Sequence, residues 1–171
     1  KDVLNNDAFH AVRSEAAKAL KKIGNNEARA VLIASLKQPD ARVRKEVVDA
    51  LTAFPHDEAR QALWQQSQSE KNPLILASII KSWGTRPGDA SVAKALRTQL
   101  ASTSYDEALA DAAIAALRAQ DDPTAVPAIL ARLQQNPANF QSRGYIADLD
   151  ALARLDRVMV VGGILPAIAA E

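Results

Sequence analysis

Histidines are the first residues to test for chemistry, and the chain has two, His10 and His56. A zinc site needs three or four ligands converging at about 2 Å, commonly with a histidine pair on one helical turn. These two stand 46 positions apart with no cysteine anywhere in the chain, so neither a thiolate site nor a histidine pair is encoded. His10 is expected in the first turn of a helix and His56 in a loop or cap. The carboxylate neighbours Asp57-Glu58, Asp106-Glu107 and Asp121-Asp122 have the composition of acid/base pairs. Each falls where a helix is expected to begin, which is where capping and the helix dipole favour acids. No Walker loop, nucleophile elbow or dinucleotide glycine pattern occurs, and Gly162-Gly163 is too bare to cradle a phosphate. The residues therefore predict no catalytic group and no cofactor.

What remains is contact chemistry. Trp83 takes the place of Leu51 in the repeat described below and is expected in the core. Trp64 stands beside Leu63 at the edge of an apolar stripe, suited to packing between repeats or to an exposed anchor. Arg13, Arg44 and Lys45 fall on helices that would line one face of a stack. With Trp64 they are the candidate contacts for a partner protein, the alternative being a solvated face with internal ion pairs.

These groups need helices to position them. Asp40 to Phe54, DARVRKEVVDALTAF, places Val43, Val47, Leu51 and Phe54 on one helical face, with the charges on the other. The pattern recurs. Val12, Ala16, Ala17, Ala19, Leu20 and Ile23 precede it by 31 residues; Ile75, Ile79, Ile80, Ser82 and Trp83 follow by 32, and Leu109, Ala113, Ile114, Ala116 and Leu117 by a further 34. A degraded fifth copy keeps Leu149, Ala151, Leu152 and Leu155 but has Gly144 and Asp148 at apolar positions. Shorter amphipathic helices are expected between the copies, over 27–36, 58–67, 90–100 and 124–134. Gly24-Asn25-Asn26, Gln38-Pro39-Asp40, Pro55-His56-Asp57, Asn72-Pro73 and Asn136-Pro137 supply the breaks. A period in this range means stacked layers, each unable to bury its stripe alone.

Composition agrees. The chain has 171 residues, 48% hydrophobic and only 4% aromatic, which suits closely packed helices and disfavours a sheet or a base-stacking surface. The formal charge is +1, far from the basic excess of a general nucleic-acid binder. Residues 1–86 are net +4 and residues 87–171 net −3, a gradient ordinary for solvated helices. No apolar run is long enough to span a bilayer. The absence of cysteine leaves the compartment undecided. The expected fold is all-α, a right-handed α-solenoid of about five helix pairs in one domain spanning 1–171. Residues 156–171 are expected to serve as a terminal capping segment. The repeat-like start at Lys1 suggests a piece of a longer chain.

Helix pairs of this length with D-x-x-V-R on the second helix, best seen in Asp40-Ala41-Arg42-Val43-Arg44, resemble HEAT repeats of the short bacterial kind. The resemblance spans roughly residues 7–155. It implies a polar ladder in which the motif arginine bridges layers; that arginine is kept as Arg13 and Arg44 and replaced by Leu76, Ala110 and Tyr145. A narrower likeness lies in Asp7-Ala8-Phe9-His10-Ala11-Val12-Arg13-Ser14-Glu15-Ala16-Ala17. This segment is similar to one in the HEAT-like C-terminal regions of bacterial zinc aminopeptidases of the aminopeptidase N type. It implies a non-catalytic scaffold or docking domain downstream of a zinc enzyme, with the zinc held in that catalytic domain, since H-E-x-x-H is absent here. The partner would be protein, either the parent's own catalytic domain or another chain. Two alternatives remain: a free-standing interaction module akin to phycobilisome-lyase-type repeats, and a HEAT-like DNA glycosylase, which would need a basic groove lined with aromatics.

Overall fold

A computed structural model describes residues 1–102, 107–121, 123–135 and 150–153. Every regular element among them is helical, so the all-α expectation is met and no strand occurs among the described residues. The chain divides into two compact units, Lys1–Ile79 and Ile80–Glu171.

The first unit is built from α1 (Asp2–Asn6), α2 (His10–Ile23), α3 (Asn26–Ala34), α4 (Ala41–Leu51), α5 (Asp57–Ser67) and most of α6 (Pro73–Ser82). The starts and stops follow the local chemistry. Gly24 ends α2 in the left-handed conformation at φ 67°, and its amide donates to the Leu20 carbonyl, a closure that glycine adopts without steric cost. The side chains of Asn25, Asp40 and Asn72 then accept from the free amides of Ala28, Arg42 and Leu74, satisfying donors that a helix start leaves open.

These helices lie in layers. α1 packs on α2 and α3 on α4, while α2 stacks on α4 and α3 on α5. Val43, Val47, Val48, Ala50 and Leu51 of α4 are all buried. Polar side chains cross from layer to layer at about one repeat of sequence separation. Arg29 of α3 donates to Glu58 of α5 at 3.0 Å, Lys37 donates to Ser69 at 2.8 Å, and the buried Gln38 donates back to the Leu4 carbonyl at 3.0 Å.

The second unit holds a 3-10 turn at Trp83–Thr85, α7 (Ala90–Leu100), α8 (Ala108–Gln120), a second 3-10 turn at Pro123–Ala125 and α9 (Val126–Gln135), with residues 150–153 again helical. α7 pairs with α8 and stacks on α9. The first turn packs directly against α8. Trp83 is buried, as its register position predicts, and Gln120 at the end of α8 donates to the Trp83 carbonyl at 2.9 Å. Ala151 and Leu152 of the fifth copy are buried; its other positions and the 156–171 segment lie outside the described residues. No helix among the described residues is long and apolar enough to cross a membrane.

Candidate functional site

The densest polar arrangement in the first unit is built around Glu70, in the loop that leads into α6. Its carboxylate accepts from Arg44 Nε at 2.8 Å and Nη2 at 3.3 Å, from Gln66 Nε2 at 3.0 Å, and from the amides of Lys71 and Asn72 at 3.1 and 3.0 Å. Arg44 sits in the first turn of α4. Helical side chains lean toward the N-terminus, so its remaining Nη1 reaches back to the loop before α4 and donates to the Gln38 carbonyl at 2.7 Å.

One guanidinium thus ties together two successive interhelical loops. Burial by itself pushes the Glu70 carboxyl up, but Arg44, the Asn72 amide and Gln66 outweigh it and hold it below its ordinary value. A carboxylate whose lone pairs are filled in this way is fixed in its charged form and has no acceptor left for proton transfer. Its chemistry is that of a clamp.

Arg13 repeats half of this arrangement one layer earlier. Its Nη1 donates to the Asp7 carbonyl at 2.6 Å, six residues back, as Arg44 does to Gln38. Counting two residues back from the capping positions Asp40 and Asn72, Gln38 stands where Glu70 stands in the next layer, and its amide turns toward Leu4 and Asn5 instead. Arg13 Nε is consequently buried with no hydrogen-bond partner among the described residues.

Two of the four expected contact residues, Arg13 and Arg44, therefore spend donors on their own chain. Lys45 is half-exposed and pairs with Asp49 one turn on. Trp64 is half-buried on α5. The four are carried by three helices: Arg13 by α2, Arg44 and Lys45 by α4, and Trp64 by α5; Arg13 and Arg44 hold loops.

The acidic pairs are also distributed. Asp57 pairs with Arg60, Glu58 with Arg29 and Glu107 with Arg132. Asp121, expected at a helix start, instead closes α8 in the left-handed conformation at φ 57°. His56 precedes α5 without a side-chain cap bond, and His10 opens α2. No group of three or more potential metal ligands occurs among the described residues. In the second unit a cleft of about 340 Å³ is lined by Pro87, Gly88, Asp89, Ala90, Ala93, Gln120 and Asp121; Asp89 is engaged there in capping α7 and in an ion pair with Arg86.

Sequence reasoning missed Glu70. The available signal was an acid two residues before a capping Asn-Pro, one repeat after the motif arginine.

Comparison with known families agrees with this geometry: residues 1–84 match the family model of the HEAT repeats. No curated protein matches the sequence.

Proposed function

We propose, from the HEAT-like build of residues 1–84, that the chain is a non-catalytic scaffold or docking module that presents helix faces to another protein. The observation that supports this is the use made of its charged residues. Arg44, Glu70, Arg29 and Arg132 all bridge neighbouring layers or loops, which is how a repeat array keeps its register while its outer faces stay open for contact. A formal charge of +1 favours a protein partner over nucleic acid.

For the parent we propose a zinc aminopeptidase of the aminopeptidase N type, with this chain following the catalytic domain and docking on it or on another protein. The support is the segment Asp7–Ala17 and its D-x-F-x-x-V-R-x-E-A-A pattern. Zinc would belong to the upstream domain. Lys45 is half-exposed and Trp64 half-buried, while Arg13 and Arg44 hold the loops.

The coding sequence upstream of Lys1 tests the parentage: H-E-x-x-H followed by a more distant glutamate is expected, and its absence overturns that assignment. Docking is tested by titrating Trp64→Ala and Lys45→Ala variants against the upstream domain. Loss of a half-buried aromatic anchor should weaken binding by about tenfold or more, and unchanged affinity in both variants would remove these residues from the contact.

A further inference from the structure

Arg13 and Arg44 hold one pose and differ in what they meet. Each sends Nη1 back six residues, to the Asp7 carbonyl at 2.6 Å and to the Gln38 carbonyl at 2.7 Å. Each therefore turns its Nε edge toward the loop that follows the next helix. For Arg44 that edge is filled by Glu70. For Arg13 the aligned residue is Gln38, and Arg13 Nε is buried with no hydrogen-bond partner among the described residues. A buried donor left open bears its full desolvation cost, and native folds keep few of them.

Gln38 has the acceptor that Arg13 lacks, but its amide is turned elsewhere. Nε2 donates to the Leu4 carbonyl at 3.0 Å and to Asn5 Oδ1 at 2.8 Å. Ser35 Oγ donates to that same Asn5 oxygen at 3.0 Å. Leu4 is fully buried, and Gln38 is buried as well. One terminal amide thus stands between two claims: its N–H groups pin α1, and its carbonyl is the acceptor that Arg13 Nε needs. In the position described it meets only the first.

We propose that Gln38 is a two-position latch. In the first position its N–H groups hold Leu4 and Asn5. In the second the side chain turns, Oε1 accepts from Arg13 Nε, and the pin on α1 is withdrawn. The first position makes two hydrogen bonds; the second makes one and removes an open buried donor, so the two lie close in free energy. An amide is the group this requires, since it both donates and accepts. Glu70 has no proton to donate and takes its arginine alone, which fixes the next layer. The loop before α4 is consequently tied by turns to α1 and to α2, while α2 stays packed on α4.

NMR relaxation dispersion on the full chain, read at the Arg13 Nε–H and the Leu4 methyl groups, tests the latch on the microsecond-to-millisecond scale of such rearrangements. One exchange process with a shared rate and population is expected at both groups. Gln38→Glu keeps the shape but cannot donate, so it should settle on Arg13: the Arg13 Hε signal shifts downfield, the Leu4 methyl signals move, and the dispersion at both is lost. Arg13→Met removes the second position and should abolish the dispersion at Leu4 while leaving its shifts unchanged. Flat profiles at both groups across the temperature range of the fold, or unrelated rates, overturn the proposal. A Gln38→Glu chain with unmoved Leu4 signals overturns it equally, as does a long-lived water found bonded to Arg13 Nε–H.

Discussion

Arg44 and Glu70, 26 residues apart in the chain, meet as a two-pronged ion pair with Nε and Nη2 at 2.8 and 3.3 Å from the two carboxylate oxygens. The Glu70 side chain is only 2% exposed. The pair locks the loop before α4 to the loop before α6, so the polar chemistry of this chain is directed inward, at the register of its own layers.

The two motif arginines should therefore differ in worth. Arg44→Met strands a buried carboxylate and should cost about 3 kcal/mol. Arg13→Met removes one loop hydrogen bond together with a buried Nε that has no hydrogen-bond partner among the described residues, and should cost about 1 kcal/mol. Urea denaturation of both variants measures the difference. Equal losses would show that Glu70 adds nothing to the clamp.

Glu70 also makes stability depend on pH in a defined direction. Its folded carboxyl lies below the ordinary value of 4.5, burial opposing the shift while Arg44, the Asn72 amide and Gln66 produce it. A depressed carboxyl binds its proton less readily in the folded than in the unfolded state. Its stabilisation is thus complete above pH 4.5 and is lost as pH falls below that value through the folded pKa. Glu70→Gln should lower stability at neutral pH and flatten the loss on acidification; an acid limb as steep as in the unsubstituted chain would contradict this.

Gly84 sits in the 3-10 turn that packs on α8. A Cβ at this position would lie 2.8 Å from the Ala119 Cβ and 3.2 Å from the backbone Cα and O of Ala116. Helix backbone yields little, so Gly84→Ala should destabilise by about 1–3 kcal/mol. Adding Ala119→Gly should recover part of the loss, because it relieves the shortest contact. A neutral Gly84→Ala in thermal denaturation would mean the turn and α8 stand farther apart than these distances require.

Much of the architecture was legible because it rests on periodicity. The α7 bounds, the Asn72-Pro73 start of α6, the left-handed close at Gly24 and the burial of Trp83 all follow from local signals. α1 was not legible, since five residues carry too little periodicity to declare a helix; Leu4 is buried there only by tertiary packing. Arg13 and Arg44 read as surface cations because they occupy the polar face of their helices. Their long stems curl back to loop carbonyls, which depends on where the preceding layer leaves its chain. Asp121 has the composition of a helix start and serves as a helix end, since the short turn Pro123–Ala125 intervenes before α9. Glu70 was missed for a different reason: its place before Asn72-Pro73 was a local signal, but its partner Arg44 is 26 residues away and only the stacking brings them together.

The layered burial itself is tested most directly by Leu51→Ala in chemical denaturation. Leu51 ends the central stripe of α4 and is fully buried, so deleting its branched end should leave a cavity and cost about 2–5 kcal/mol. A loss below about 1 kcal/mol would contradict the stacked register, because at that size the side chain could not be enclosed by its neighbours.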